Sequence, residues 1–277
     1  MTEHRYKLLV VDIDGTLINR YREVSVENRD ALALARNSGI QVSLSTGRSL
    51  KSSTPIINQL SLDSYHVFFD GALVSSADQN EEICTQSIDK AVVRQMIEFA
   101  HQHDTDLELY SAIHYFAERE TWSTEVHRQF FSSEPTVGDF TDLPEQENIV
   151  KGLLVVTNSE EAAKAKSFGN HFADSLHFSP VKVPTFPDVT FINILAPGVS
   201  KGKALEALAS HLEVSLAEVM AVGDGRNDIS LLSTAGLGIA MGNAHEEVKK
   251  VADHITLSVE QDGLAAAIKR FLVSPSC

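Results

Sequence analysis

The sequence predicts an α/β fold: a doubly wound parallel sheet interrupted by an inserted α+β domain. Two observations predict it. Short apolar runs without polar alternation recur between helical patterns at both ends of the chain, and such runs are typical of strands buried on both faces. The middle of the chain has a different pattern, with alternating strands and many aromatic residues. A length of 277 residues is sufficient for this organisation.

The first block of the chain has a βαβαβ pattern. Ser25 can cap the first helix, and Gly39 supplies its end. Polar residues and glycine follow each predicted strand. We expect strands at residues 6–14, 40–45 and 66–69, and a second helix at residues 55–60.

The segment from residue 84 to residue 188 is predicted to be the inserted domain. It begins with a helical periodicity that includes Val93 and Ala100, and its strands alternate in the manner of a sheet with one exposed face. The predicted elements after that helix are strands at 106–110, 113–117 and 152–156, a helix at 160–168, and strands at 175–178 and 181–183.

The βα alternation is predicted to resume with a strand at residues 190–195. Residues 1–83 and 189–277 are therefore expected to form one core domain, and its ligands should bind outside the carboxyl ends of the strands. The remaining predicted core elements are helices at 203–211, 229–234, 246–252 and 263–271, and strands at 219–222, 238–241 and 254–256.

Composition excludes several classes of protein. The formal net charge of −15 repels phosphate backbones and anionic lipid, so neither nucleic acid nor a membrane is an expected partner. Cys84 and Cys277 are the only cysteines, too few for a disulfide framework or a cysteine zinc site. The amino terminus has no apolar stretch of the length of a signal peptide. We therefore expect a cytoplasmic protein.

Two acidic pairs are candidates for chemistry. Asp12 and Asp14 lie two residues apart at a strand end, so their side chains point to the same side. Asp224 and Asp228 flank a glycine at the end of another strand. Taken alone, the first pair could be a charged strand end that enters a turn, and the second could cap a solvated helix.

The combination of the two pairs favours a metal site. Carboxylates converging at the ends of neighbouring strands repel one another unless a cation lies between them. Oxygen ligands of this kind suit Mg²⁺. Lys201 and Thr46, at the ends of two further strands, supply an ammonium and a hydroxyl. Together these are the groups needed to transfer a phosphoryl group.

These motifs resemble those of the haloacid dehalogenase superfamily. The motifs are Asp12-Ile-Asp14-Gly-Thr16, Ser45-Thr46-Gly-Arg48, Lys201 within Gly198-Val-Ser-Lys-Gly202, and Gly223-Asp-Gly-Arg-Asn-Asp228. The later segments Ala240-Met-Gly-Asn-Ala244 and Gln261-Asp-Gly263 are similar to those of Cof-type sugar phosphatases, which carry a large cap between the second and third motifs.

The resemblance implies a role for each matching residue. Asp12 would attack phosphorus, and Asp14 would protonate the leaving alcohol and then activate water. Mg²⁺ would bind Asp12, the main-chain oxygen of Asp14, and Asp224, with Asp228 close by through water. The inserted domain would close over the site as a lid and choose the leaving group. The phosphate oxygens would be held by the Ile13 and Gly47 amides, Thr46, Lys201 and Asn227.

One position departs from the family pattern. Where the family usually has Asn-Gly-Ala after the third strand, this chain has Asp70-Gly-Ala72. The carboxylate could repel anionic substrates, could favour an amine or hydroxyl on the leaving group, or could face solvent.

The expected function is a Mg²⁺-dependent phosphatase acting on a small phosphate ester, and the family suggests a sugar phosphate. Candidates for substrate selection in the insertion, chosen by composition, are His114, Tyr115, Trp122 and His127.

Two alternatives remain at this point. Gly198-Val-Ser200-Lys-Gly202 also fits the Gly-x-Ser-x-Gly elbow of a serine hydrolase, with His245 or His254 downstream. A catalytically idle phosphate sensor or interaction protein could also use the same fold. The serine-hydrolase hypothesis leaves Asp12 and Asp14 without a role. A protein that only senses phosphate would not need a nucleophile and an acid two residues apart.

Overall fold

The computed structural model describes residues 5–78, 80–131, 133–183 and 186–273. Cys277 lies outside these residues. The chain divides into two compact units. The first unit comprises residues 1–48, 54–84 and 200–277, and the second comprises residues 49–53 and 85–199. Within the described residues, no helix is both long and apolar enough to cross a membrane.

The strands occur throughout the chain and are numbered in chain order. They are β1 (Leu8–Val11), β2 (Gln41–Leu44), β3 (Tyr65–Phe68), β4 (Leu73–Ser76), β5 (Glu82–Thr85), β6 (Glu108–Tyr110), β7 (Tyr115–Ala117), β8 (Thr136–Val137), β9 (Lys151–Val156), β10 (His177–Val183), β11 (Phe186–Leu195), β12 (Val219–Gly223), β13 (Leu237–Ala240) and β14 (His254–Ile255).

The helices are numbered in the same way. They are α1 (Val26–Asn37), α2 (Leu50–Leu60), α3 (Lys90–Gln102), α4 (Trp122–Phe131), α5 (Leu143–Gln146), α6 (Ser159–His171), α7 (Lys201–His211), α8 (Ile229–Thr234), α9 (Glu246–Val251) and α10 (Gly263–Ile268). The last helix continues as a π-helical turn at Lys269–Val273.

A parallel sheet forms the centre of the first unit, as predicted. Its strand order is β14-β13-β12-β1-β2, and Leu8 of β1 pairs with Gln41 on one side and Val219 on the other. A parallel bridge between Ser45 and Val67 connects the end of β2 to β3. β3 itself belongs to a separate three-stranded sheet with β4 and β5.

Helices cover both faces of this parallel sheet. Leu8 and Val10 belong to an apolar core with Leu205 and Leu208 of α7. Leu9 and Val11 point to the opposite face, since successive side chains of a strand alternate, and both are fully buried. On that face α1 packs against β2 and α10. The doubly wound α/β fold is therefore confirmed.

The second unit contains a mixed sheet with the order β10-β11-β9-β6-β7-β8. Its pairs are antiparallel, except that β7 and β8 run parallel. Gly152 of β9 allows Met96 of α3 to approach the sheet, because a Cβ atom there would lie 3.0 Å from the Met96 methyl carbon. Phe168 of α6 makes an edge-to-face contact with Phe178 of β10, so α6 also packs against this sheet.

One strand belongs to a different sheet from the one predicted. The run at residues 190–195 was expected to resume the parallel core, but it forms the second half of β11 and pairs antiparallel with β9 and β10. The prediction was wrong because a buried apolar run looks the same in either sheet. The expected end of the insertion at residue 188 falls inside β11, and the second unit extends to Val199.

Candidate active site

The predicted site residues of the first unit follow neighbouring parallel strands. Asp12 comes directly after β1, Thr46 lies two residues after β2, and Asp224 comes directly after β12. These strands are adjacent in the order β12-β1-β2, so their carboxyl ends meet at one edge of the sheet. The fold therefore brings together residues that lie far apart in the sequence.

Lys201 forms the centre of the charged cluster. It occupies the first position of α7 and is fully buried. Its Nζ donates to Asp12 Oδ1 at 2.7 Å and to Asp228 Oδ1 at 2.6 Å. Burial opposes the charge of the ammonium, but the two carboxylates outweigh it and raise the pKa of Lys201. Lys201 is therefore a permanent cation at this site.

The carboxylates in this cluster are held close together against their mutual repulsion. Burial, followed by repulsion from Asp228, raises the pKa of Asp12 well above its ordinary value, although Lys201 acts in the opposite direction. Burial and the same repulsion raise the pKa of Asp224 to about 7. One lysine is therefore insufficient to balance the acidic charge, and the site favours a further cation.

The donor set suits a divalent metal ion. Asp12, Asp224 and Asp228 each offer a carboxylate oxygen, and these oxygens lie within 4.8 Å of one another. Clustered carboxylate oxygens are the ligands that hard divalent cations such as Mg²⁺ prefer. Gly15 leaves room for this group, since a Cβ atom there would come 2.4 Å from Asp224 Oδ2.

Asp14 lies apart from this cluster and is paired with Arg48. Arg48 Nε donates to Asp14 Oδ2 at 2.7 Å, and Arg48 Nη2 donates to Asp14 Oδ1 at 2.5 Å. The Arg48 side chain is 8% exposed, whereas that of Asp14 is 36% exposed. The second acid of the first motif is therefore oriented by a buried guanidinium and remains accessible to solvent.

Three residues predicted to hold the phosphate lie around Asp70, namely Thr46, Gly47 and Asn227. Thr46 is buried, and its hydroxyl accepts a hydrogen bond from the Arg48 amide at 3.1 Å. Asn227 Nδ2 donates to Asp70 Oδ1 at 2.7 Å. Asp70 is also close to Gly47, because a Cβ atom on Gly47 would lie 2.9 Å from Asp70 Oδ1. The carboxylate of Asp70 therefore faces the candidate phosphate-binding residues and is buried.

Ile13 and Ser200 have structural contacts of their own. Ile13 is fully buried, and its carbonyl accepts from the amides of Leu17 and Ile18 at 3.0 Å. Ser200 is the N-cap of α7, and its hydroxyl accepts from the Lys203 amide at 3.3 Å. Its role as a helix cap explains why a serine stands at this position, and a role as a nucleophile is not needed to explain it.

Sequence reasoning gave no role to three residues that contact the acids. Thr16 Oγ1 donates to Asp224 Oδ1 at 3.1 Å. Asn243 Nδ2 donates to Asp224 Oδ2 at 3.1 Å and to the Gly15 carbonyl at 2.9 Å. Arg48 is the third. All three belong to the motifs quoted above, so the signal was present, but only the structure shows what they contact.

The candidates in the second unit divide by burial. Tyr115 and His127 are buried, and the Tyr110 hydroxyl lies 3.0 Å from His127 Nε2. Trp122 is 45% exposed. His114 is exposed and pairs through Nδ1 with Glu147 Oε1 at 3.0 Å. Tyr115 and His127 are therefore part of the interior of this unit.

The chain is similar to several proteins that are named as phosphatases. Phosphatase YwpJ of Bacillus subtilis is 29% identical over 96% of this chain and 100% of the relative. The 5-amino-6-(5-phospho-D-ribitylamino)uracil phosphatase YcsE of the same organism is 27% identical over 96% of both chains. The solved structure of BT1666 from Bacteroides thetaiotaomicron, described among phosphatases of the haloalkanoate superfamily, is 30% identical with a TM-score of 0.80, covering 98% of this chain and 96% of that one.

The family resemblance predicted from the motifs is confirmed. The model of the haloacid dehalogenase-like hydrolases matches residues 9–268, which include all of the second unit and most of the first. With its parallel sheet and its acidic cluster at the carboxyl ends of the strands, this chain belongs to the family of haloacid dehalogenase-like hydrolases.

Proposed function

We propose that the protein is a Mg²⁺-dependent phosphatase that hydrolyses a small phosphate monoester through an aspartyl-phosphate. The observation that carries this proposal is the arrangement of two acids at the end of β1. Asp12 accepts a hydrogen bond from the buried Lys201 and lies beside further carboxylates, whereas Asp14 is oriented separately by Arg48. A nucleophile and a proton-transfer group are thus held in different surroundings, as two-step phosphoryl transfer requires.

Asp12, the main-chain oxygen of Asp14, Asp224 and Asp228 would hold the metal ion. When bound, Mg²⁺ offsets the repulsion among the carboxylates and stabilises negative charge on the transferring phosphoryl group. Thr16 and Asn243 support Asp224 through its two oxygens. Supporting hydrogen bonds of this kind fix the orientation of a ligand carboxylate.

In the first step, a carboxylate oxygen of Asp12 attacks phosphorus and the bond from phosphorus to the ester oxygen breaks. Asp14 donates a proton to the departing oxygen, which leaves as an alcohol. Arg48 donates to both oxygens of Asp14, so one of these two hydrogen bonds has to loosen when an Asp14 oxygen carries the proton. Lys201 remains charged beside the attacking carboxylate and stabilises the developing negative charge.

In the second step, Asp14 acts as a base. It takes a proton from water, whose oxygen attacks phosphorus and displaces the Asp12 carboxylate. The products are inorganic phosphate and the regenerated enzyme. The Ile13 and Gly47 amides, Thr46, Lys201 and Asn227 would hold the phosphate oxygens throughout.

We infer that the substrate is a small phosphorylated metabolite such as a sugar phosphate, converted in the cytoplasm. Two lines support a hydroxyl-bearing leaving group. The relative YcsE is named for a phosphorylated ribityl compound, and the motifs of this chain resemble those of sugar phosphatases. The insertion, predicted as residues 84–188, would act as the cap that selects the leaving group.

A screen of phosphorylated metabolites for released phosphate, with and without Mg²⁺, tests this function. A generic aryl phosphate should be hydrolysed with Mg²⁺, and both EDTA and Asp12→Asn should abolish the activity. Full activity of Asp12→Asn together with loss in Ser200→Ala would replace the proposal with a serine hydrolase. Tight phosphate binding without turnover of any ester would indicate a sensor.

A further inference from the structure

Asp70 is a buried carboxylate that the proposed reaction does not use. Only 3% of its surface is exposed. Its backbone has φ 55° and ψ 23°, the left-handed conformation that aspartate and asparagine adopt more readily than most residues. Its amide donates to the Thr46 carbonyl at 3.0 Å, which connects it to the loop after β2. The fold therefore holds this side chain in a defined place beside the site.

The carboxylate of Asp70 determines the orientation of Asn227. One N–H of Asn227 Nδ2 donates a hydrogen bond to Asp70 Oδ1 at 2.7 Å. A carboxylate can only accept hydrogen bonds, so the nitrogen end of the amide has to face it. The second proton on the same nitrogen is a donor that can serve a phosphate oxygen. Without Asp70, the amide could rotate and present its oxygen to an anion instead.

The charge of Asp70 acts on the same region. Lys201 already pairs with Asp12 and Asp228, and Asp70 is near enough to contribute to the raised pKa of that lysine. Gly47 lies against the carboxylate and has no side chain to separate the two. A negative charge at this position opposes the binding of any anion near Gly47 and Lys201.

We propose that Asp70 is a positioning residue of the phosphate pocket: it orients the Asn227 amide, and its charge weakens the retention of released phosphate. This inference rests on the proposed function, because it takes Asn227, Gly47 and Lys201 as phosphate ligands. Asp70 thus improves the geometry of the pocket and lowers its affinity for the product, which favours release.

Binding of orthophosphate to the full chain, measured by calorimetry in saturating Mg²⁺, separates the two effects. Asp70→Asn keeps an acceptor oxygen and suits the left-handed backbone, but it removes the charge. We expect it to bind phosphate about tenfold more tightly than the wild type. Asp70→Ala also removes the acceptor, and it should bind about fivefold more weakly than Asp70→Asn. Asp30→Asn, an exposed charge on α1, is the matched control and should leave the affinity unchanged.

The role of Asn227 is tested in the Asn227→Ala background, where Asp70→Asn and Asp70→Ala should bind phosphate equally. Unchanged or weaker binding by Asp70→Asn overturns the proposal, as does a difference between the two variants that persists without the Asn227 amide. If Asp70→Ala does not fold, the other two variants still test the proposal. Asp70→Asn has to bind orthophosphate more tightly than the wild type does, and Asn227→Ala has to bind it more weakly.

Turnover supplies a second readout. With a hydrolysed ester, Asp70→Asn should lower both KM and the inhibition constant of phosphate by about the same factor, roughly tenfold. Equal values in Asp70→Asn and the wild type would contradict the inference. A wild-type protein that binds orthophosphate but hydrolyses no ester overturns the proposed function alone, and the affinities above still decide the role of Asp70. A wild-type protein that does not bind orthophosphate overturns both.

Discussion

Arg48 holds the carboxylate of Asp14 through two hydrogen bonds from one guanidinium group, Nε to Oδ2 at 2.7 Å and Nη2 to Oδ1 at 2.5 Å. Paired donors of this kind fix both the position and the plane of a carboxylate. The two residues are 34 positions apart in the sequence, and β1 and β2 are adjacent in the sheet. The acid that transfers the proton in the proposed mechanism is therefore oriented by the loop after the neighbouring strand.

Replacing Arg48 with methionine should lower kcat about 100-fold for an alkyl phosphate, because Asp14 loses its orientation for proton transfer. An aryl phosphate should be less affected, since its leaving group needs little protonation. Steady-state kinetics with both substrates measure the difference. Arg36→Met, which removes a contact to the Leu60 carbonyl, is the control and should keep kcat within a factor of about two. An equal loss with both substrates would count against a role through Asp14.

Asn243→Ala should weaken Mg²⁺ binding about 10-fold or more, because Asn243 supports Asp224 Oδ2 and the Gly15 carbonyl. Titration of activity against Mg²⁺ concentration gives the apparent affinity, and kcat at saturating Mg²⁺ should change less. Asn158→Ala, which removes the cap of α6 in the second unit, is the matched control. Unchanged Mg²⁺ dependence in Asn243→Ala would show that these contacts are dispensable.

Without Mg²⁺, Asp224 should make the protein less stable as the pH rises from about 4 to about 7. The pKa of Asp224 is raised from 3.8 to about 7 by burial and by Asp228. Between these values the folded state keeps a proton that the unfolded state has lost, so the free energy of unfolding falls with rising pH, by at most about 4 kcal/mol.

Urea unfolding at several pH values, with Asp224→Asn compared with the wild type, isolates this effect. In Asp224→Asn, the free energy of unfolding should no longer show the part of the pH dependence that comes from Asp224. Saturating Mg²⁺ should restore the stability of the wild type near pH 7, because the ion binds the ionised form. Parallel pH profiles for the variant and the wild type would contradict the prediction.

His66 should affect stability in the opposite direction, so that the free energy of unfolding falls as the pH is lowered. It is fully buried in β3, and its Nδ1 accepts from the Leu44 amide at 3.1 Å. Burial lowers the pKa of His66 from 6.5 to about 4. Between pH 6.5 and 4 the unfolded state binds a proton that the folded state excludes, so acidification should cost about 3 kcal/mol of stability.

His66→Phe should remove this dependence. At neutral pH the variant should be less stable than the wild type by about 1–3 kcal/mol, because the Leu44 amide loses its acceptor, and this difference should disappear as the pH falls toward 4. The measurement is the difference in unfolding free energy between variant and wild type across this range. His177→Gln, at an exposed position of β10, serves as the control. A His66→Phe protein that remains as sensitive to acid as the wild type would assign the sensitivity to other groups.

The sequence was sufficient to predict the parallel sheet and that the candidate site residues follow its strands. Strands buried on both faces require continuous apolar runs, and ligand groups in such a sheet have to follow the strands. Asp12, Thr46 and Asp224 could therefore be identified from their position after an apolar run. The helix after Ser200 was predicted two residues late, because Gly202 is a poor helix former and the Ser200 cap decides where the helix begins.

The partners of these residues were decided only by the tertiary structure. The strand at 190–195 was assigned to the wrong sheet because its pattern records burial and period but does not identify the neighbouring strand. Asp70 and Asn227 are 157 residues apart, and nothing local to either predicts that Asp70 accepts a hydrogen bond from Asn227. The residue types and their strand ends are local properties of the chain, whereas hydrogen bonds, mutual repulsion and burial depend on which distant segments pack together.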